Sequence, residues 1–66
     1  MMQINTKKVL DYMKENKDIK KNYFHDEDFI SLGFSNEYLH IYLEELEENN
    51  IIEIDRQWLY PVYSLI

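Results

Sequence analysis

The chain has no cysteine, one glycine and one proline in 66 residues. Without cysteine, neither disulfides nor thiolate metal sites supplement the core, and the composition fits a reducing, cytoplasmic setting. With one Gly and one Pro, nothing resembles a flexible linker or a low-complexity tract. No stretch approaches the roughly 20 apolar residues that span a membrane. The opening MMQINTKKVLDYM has no uninterrupted apolar run and no small-residue cleavage site, so no signal peptide is expected. A Gly-rich phosphate loop and a Gly-x-Ser-x-Gly motif are both missing, there are only two His, and Ser31, Ser35 and Ser64 have no evident base partner. The expectation is a protein that is not an enzyme and binds no cofactor.

Basic residues are scarce in one part of the chain. Residues 23–66 hold Arg56 alone against ten carboxylates, a net −9, whereas residues 1–22 hold six Lys against Asp11, Glu15 and Asp18, a net +3. Partners respond to such local fields more than to the overall −6.

Aromatic residues are plentiful: six Tyr, three Phe and one Trp. A chain of this length is read as a single domain, residues 1–66, burying only about 60% of its unfolded surface. Large rings partly compensate, and self-association is the other usual supplement, so a homodimer is among the expected states. The excess of Ile, Lys, Asn and Tyr points to an AT-rich coding sequence, compatible with a phage, plasmid or low-GC bacterium.

Spacing predicts three helices and a hairpin. The first helix is expected over about Thr6 to Asn16, with Thr6, Val9, Leu10 and Met13 as its apolar stripe and Asn5 as N-cap. Asn16 to Asn22 reads as a loop or frayed turn. A short second helix is expected from Asp26 to Leu32, with Asp26, Glu27 and Asp28 at the positive end of its dipole. Phe29, Ile30 and Leu32 form its apolar face, Tyr23 and Phe24 pack in front, and Gly33 is its left-handed C′ residue. Ser35 caps a third helix running to Asn49, whose core stripe is Leu39, Tyr42, Leu43 and Leu46, within about 100° of arc. The outward face carries Glu37, His40, Ile41, Glu44 and Glu48. Ile51 to Asp55 and Trp58 to Tyr63 read as strands joined by a tight turn at Asp55-Arg56-Gln57, with Pro61 placing the second at an edge. Ser64-Leu65-Ile66 must pack back on the core or meet another chain.

The piece Leu39-x3-Leu43-x2-Leu46-x3-Asn50-Ile51-Ile52 resembles the recognition helix and first wing strand of bacterial winged-helix regulators, which often end in Leu-Glu-Glu-x-Gly-Leu-Ile. Asn50 stands where that Gly usually is, and Asn tolerates the same φ > 0 geometry. The resemblance covers nearly the whole chain. It implies an α+β, mostly α, winged-helix fold: three helices followed by a two-stranded antiparallel β-hairpin.

In DNA-binding winged-helix proteins the outward face of this helix enters the major groove. Here those positions are Asn36, Glu37, His40, Ile41 and Glu44. Asn36 has the chemistry to read adenine, but docking needs Lys and Arg on phosphates. The third helix has neither, and it carries five Glu.

The leading expectation is therefore a small acidic protein-interaction module. Its partner is a protein with a basic surface, such as a nucleic-acid-handling protein that it inhibits or regulates; a mobile-element antagonist acting as a DNA mimic is the concrete version. The partner-binding residues are Glu37, Tyr38, Ile41, Glu44, Glu45 and Glu48, with Arg56 at the wing tip. Carboxylates around apolar anchors suit such a partner, and Tyr is enriched at hot spots.

The alternative is a dimeric winged-helix DNA-binding transcriptional regulator using Lys14, Lys17, Lys20, Lys21, Asn36, His40 and Arg56. A third reading is an assembly role for an edge made by Trp58, Tyr60, Val62 and Leu65. Glu37, His40 and Glu44 share a helix face, but one helix supplies too few ligands, so no metal is expected. His25-Asp26-Glu27-Asp28 lacks the spacing and central Gly of a calcium loop.

Overall fold

Thr6, Val9, Leu10 and Met13 recur at helical spacing, and all four are buried along one side of α1 (Ile4–Asn16). This is the first element of a computed structural model that describes residues 2–66. Helix α2 (Asp26–Ile30), helix α3 (Asn36–Glu48), strand β1 (Ile52–Asp55) and strand β2 (Val62–Leu65) follow. The architecture is α+β and mostly α: three helices, then a two-stranded antiparallel hairpin. This order is compatible with a winged-helix layout.

Helix α1 starts earlier than its spacing predicted. Gln3, not Asn5, is the N-cap. Asn5 lies inside the helix, and its amide donates to the Tyr42 hydroxyl at 2.9 Å, tying α1 to α3.

The same pair of bonds closes each helical segment. After α1, the Asn22 N–H donates to the Lys17 carbonyl and the Lys21 N–H to Asp18. After α2, Phe34 donates to Phe29 and Gly33 to Ile30; after α3, Ile51 donates to Leu46 and Asn50 to Glu47. This is the Schellman arrangement, which needs a left-handed residue at C′. Lys21 (φ 55), Gly33 (φ 100) and Asn50 (φ 59) supply it. The expected roles of Gly33 and Asn50 hold. A lysine gives no sequence signal for this role, and the segment expected to be a loop or frayed turn is an ordered turn. No atom crowds a Cβ placed at Gly33, so glycine is needed there for its φ alone.

Helix α2 is shorter than expected, and Phe29 is its one buried residue. Ile30 and Leu32, expected on the apolar face, are 39% and 53% exposed. Five residues make little more than one turn, and the position that shares the side of Phe29 is Asp26, which meets the Tyr63 hydroxyl. At its N-terminus the Asp28 carboxylate accepts the His25 N–H at 2.9 Å.

The second strand lies further along the chain than predicted. The register pairs Ile52 with Leu65 and Asp55 with Val62, so Trp58, Leu59 and Tyr60 fall outside the ladder. Asp55 explains the shift. Its carboxylate accepts the Gln57 N–H at 3.0 Å and the Trp58 indole N–H at 3.0 Å, an Asx-type turn that ends β1. Pro61 has no N–H to offer a ladder, so pairing resumes at Val62. The connection is the stretch 56–61, not a tight turn. Phe24 adds a one-residue third strand: its N–H and carbonyl exchange bonds with Tyr63 at 2.9 and 2.8 Å. Beside it the Asn22 side chain imitates a strand, donating to the Leu65 carbonyl at 2.9 Å and accepting the Leu65 N–H at 2.7 Å.

The core lies between α1, α3 and the hairpin, with Val9, Met13, Phe24, Phe29, Leu39, Leu43, Leu46 and Ile52 at its centre. Thr6 is fully buried there and its hydroxyl has no hydrogen-bond partner among the described residues. An orphaned buried hydroxyl costs about 1–3 kcal/mol. Thr6→Val keeps the shape and removes that cost, so it is expected to stabilise the fold by about 1 kcal/mol, read as a higher urea midpoint at unchanged m.

Candidate functional site: the outward face of the third helix

Ser35 sets the start of α3: its hydroxyl accepts the Glu37 N–H at 3.2 Å. From there Leu39, Leu43 and Leu46 turn into the core, which fixes what faces out. Glu37, Ile41, Glu44 and Glu48 are all exposed and, at 100° per residue, share the side opposite the leucines. Ile41 is 41% exposed, an apolar centre among three carboxylates.

The other expected residues lie to either side. Tyr38 is half exposed and borders a hollow shared with Asn5, Lys8, Leu32 and Gly33, on the edge towards α1. Glu45 is on that edge too, half-buried, and accepts the Gln3 N–H at 3.2 Å; its first task is to hold the start of α1. The opposite edge meets the hairpin. His40, Glu44 and Arg56 line a shallow hollow there with Pro61. Asn36 is exposed at the first turn of α3.

Arg56 is not a free cation. Its guanidinium grips Glu47 with two bonds, 2.8 and 3.0 Å. This bidentate bond holds the Glu47 carboxyl below its ordinary range and raises the Arg56 guanidinium further. Arg56 and Glu47 therefore cross-link hairpin and helix. Glu47 was not singled out in the sequence, because an unbroken acidic run does not show which member meets a cation folded back from nine residues away.

The lysine group is divided in the same way. The Lys20 ammonium lies 2.6 Å from Asp28. Partial burial pushes Asp28 up, but Lys20 and the His25 N–H outweigh it and hold the carboxyl below its ordinary range. Lys14, Lys17 and Lys21 are exposed and make no ion pair among the described residues. Around the hairpin, Glu53 and Asp55 line an open groove with Tyr23, Arg56 and Val62. Among the described residues no three His, Asp or Glu side chains converge to hold a metal ion, and no helix is long and apolar enough to cross a membrane.

Tyr63, which lines the hollow with His40, Glu44 and Arg56, makes a part-buried polar contact. The Tyr63 hydroxyl donates to Asp26 at 2.5 Å, joining β2 to the first turn of α2. Burial and that bond raise the Tyr63 phenol well above its ordinary value. Stability from a raised group is complete below the unfolded pKa, about 10 for Tyr, and falls as pH rises beyond it. Tyr63→Phe is expected to cost about 1.5–3 kcal/mol at neutral pH, the worth of a bond to a charged acceptor. It should also flatten the alkaline decline. Urea midpoints at neutral pH and above pH ~10 read both effects.

Comparison with known protein families, curated proteins and solved structures finds no match to this chain.

Proposed function

We propose that this protein is a small winged-helix interaction module that docks the acidic face of α3 and the neighbouring hairpin onto a basic protein surface. A nucleic-acid-handling protein, inhibited or regulated by this contact, is the partner class that fits best. The observation that carries the reading is the exposed set Glu37, Ile41, Glu44 and Glu48, on a helix with no Lys or Arg, beside an Arg56 already paired with Glu47. A surface of this kind repels phosphates and attracts lysines, with an apolar contact at its middle. No catalysis and no cofactor enter the proposal.

A regulator that binds DNA as a dimer is the second reading, favoured by the exposed Lys14, Lys17 and Lys21, which make no ion pair among the described residues. It must dispense with Arg56 and Lys20, both engaged within the chain.

Titration of the protein into a labelled Lys-rich peptide at low and physiological salt tests the proposal. Binding that weakens with salt is expected, because exposed charges are screened over about 10 Å at 0.1 M. No binding at low salt contradicts it.

A further inference from the structure

The hairpin leaves three large apolar side chains in solvent. Trp58, Leu59 and Tyr60 are 60%, 90% and 71% exposed, within the stretch 56–61 that joins β1 to β2. A domain this small is short of core, so leaving three such residues outside works against its stability.

The loop is shaped from both ends. Asp55 holds the Gln57 N–H and the Trp58 indole, and Pro61 fixes its own φ at the far end. An ordered apolar loop loses less entropy on docking than a floppy one. Three side chains of this size bring on the order of 400 Å² to an interface, about half of the roughly 800 Å² per partner in a standard one.

The surroundings define the occupant. Asp55 sits at the base of the loop, and Glu53 and Asp55 line the groove on the hairpin. Tyr60 shares a cleft of about 260 Å³ with His25, Asp26, Glu27 and Asp28. Lys20 offsets Asp28 in that cleft and Arg56 is held by Glu47, which leaves Asp26, Glu27, Glu53 and Asp55 to set the charge of the rim. We infer that the Trp58–Tyr60 loop is the apolar anchor of the docking surface and packs on an apolar patch of a partner protein that is bordered by Lys or Arg. The inference rests on the proposed protein-docking role. An anionic membrane surface and the phosphates around stacked bases are both repelled by this rim. A second copy meeting the loop across a two-fold axis would set the same carboxylates against themselves.

Trp58 is the only tryptophan, so intrinsic fluorescence reports directly on the loop. The probes are three short helical peptides, one of Lys and Leu, one with Ser in place of Leu, and one with Glu in place of Lys. The Lys–Leu peptide is expected to shift Trp58 emission to the blue. It should bind at least tenfold more tightly than the Lys–Ser peptide, and the Glu–Leu peptide should not bind. Leu59→Ser should weaken Lys–Leu binding at least tenfold with unchanged Tm, since Leu59 touches little else.

Equal binding of the Lys–Leu and Lys–Ser peptides, or an unaffected Leu59→Ser variant, overturns the anchor. The acidic-face reading survives that result if reversal of Glu44 and Glu48 still weakens binding about 100-fold. Binding of the Glu–Leu peptide as tight as that of Lys–Leu overturns the charged rim. A blue shift with phosphatidylglycerol vesicles, or on raising protein concentration alone, assigns the loop to a membrane or to a second copy and overturns the inference as well.

Discussion

Phe29→Ala is expected to unfold most of the molecules at 25 °C. Phe29 is fully buried and is the only buried residue of α2. Its ring meets Tyr12 at 5.5 Å, Phe24 at 6.1 Å and Tyr63 at 6.3 Å between centroids. Truncating a core Phe to Ala typically costs about 3–5 kcal/mol, about all that the core of a domain this small supplies. The damage should spread. A five-residue helix has no stability of its own, so losing Phe29 frees α2, and with it the Asp26 and Asp28 carboxylates that hold Tyr63 and Lys20. Circular dichroism with urea titration checks this. A variant with a native-like midpoint would show that α2 is held by something other than this ring.

The functional counterpart is the double reversal Glu44→Lys with Glu48→Lys. Both residues are exposed and neither takes part in an ion pair among the described residues. Such surface changes usually move stability by about 0.5 kcal/mol or less. Glu47 is left in place, so the hairpin stays latched through Arg56. The reversal turns the centre of the acidic face basic around Ile41. Affinity for a Lys-rich peptide is expected to fall about 100-fold, or roughly 2.7 kcal/mol, at unchanged Tm. Unchanged affinity would remove α3 from the docking surface. A lowered Tm would instead show that the two glutamates support the fold.

Much of the fold was legible because helical spacing and termination signals agreed. The leucine stripe of α3, the Ser35 cap, Gly33 and the left-handed Asn50 all stand where the sequence placed them. Contacts between distant parts of the chain were not legible. The pairing of Asn22 with Leu65 and of Phe24 with Tyr63 spans about 40 residues, and no local pattern announces it. The late start of β2 has a local cause. Asp55 offers its carboxylate to the residues after it, and that Asx turn outweighs the strand propensity of Trp58 and Tyr60. For the candidate surface, periodicity correctly set Glu37, Ile41, Glu44 and Glu48 on one side. It could not show that Glu45 holds α1 or that Arg56 and Lys20 are already engaged. Those facts depend on which charges the tertiary fold brings within reach.

The claim that the acidic face meets protein and not phosphate is tested most directly with labelled double- and single-stranded DNA. Fluorescence anisotropy is read at about 50 mM salt, where non-specific DNA binding is tighter than its usual Kd of roughly 10⁻⁴–10⁻⁶ M. The account predicts no change in anisotropy up to ~100 µM protein, well inside the range where a basic winged helix would bind. Binding in that range, weakening with salt at a slope of about −0.9 per phosphate contacted, would contradict it and pass the site to Lys14, Lys17 and Lys21.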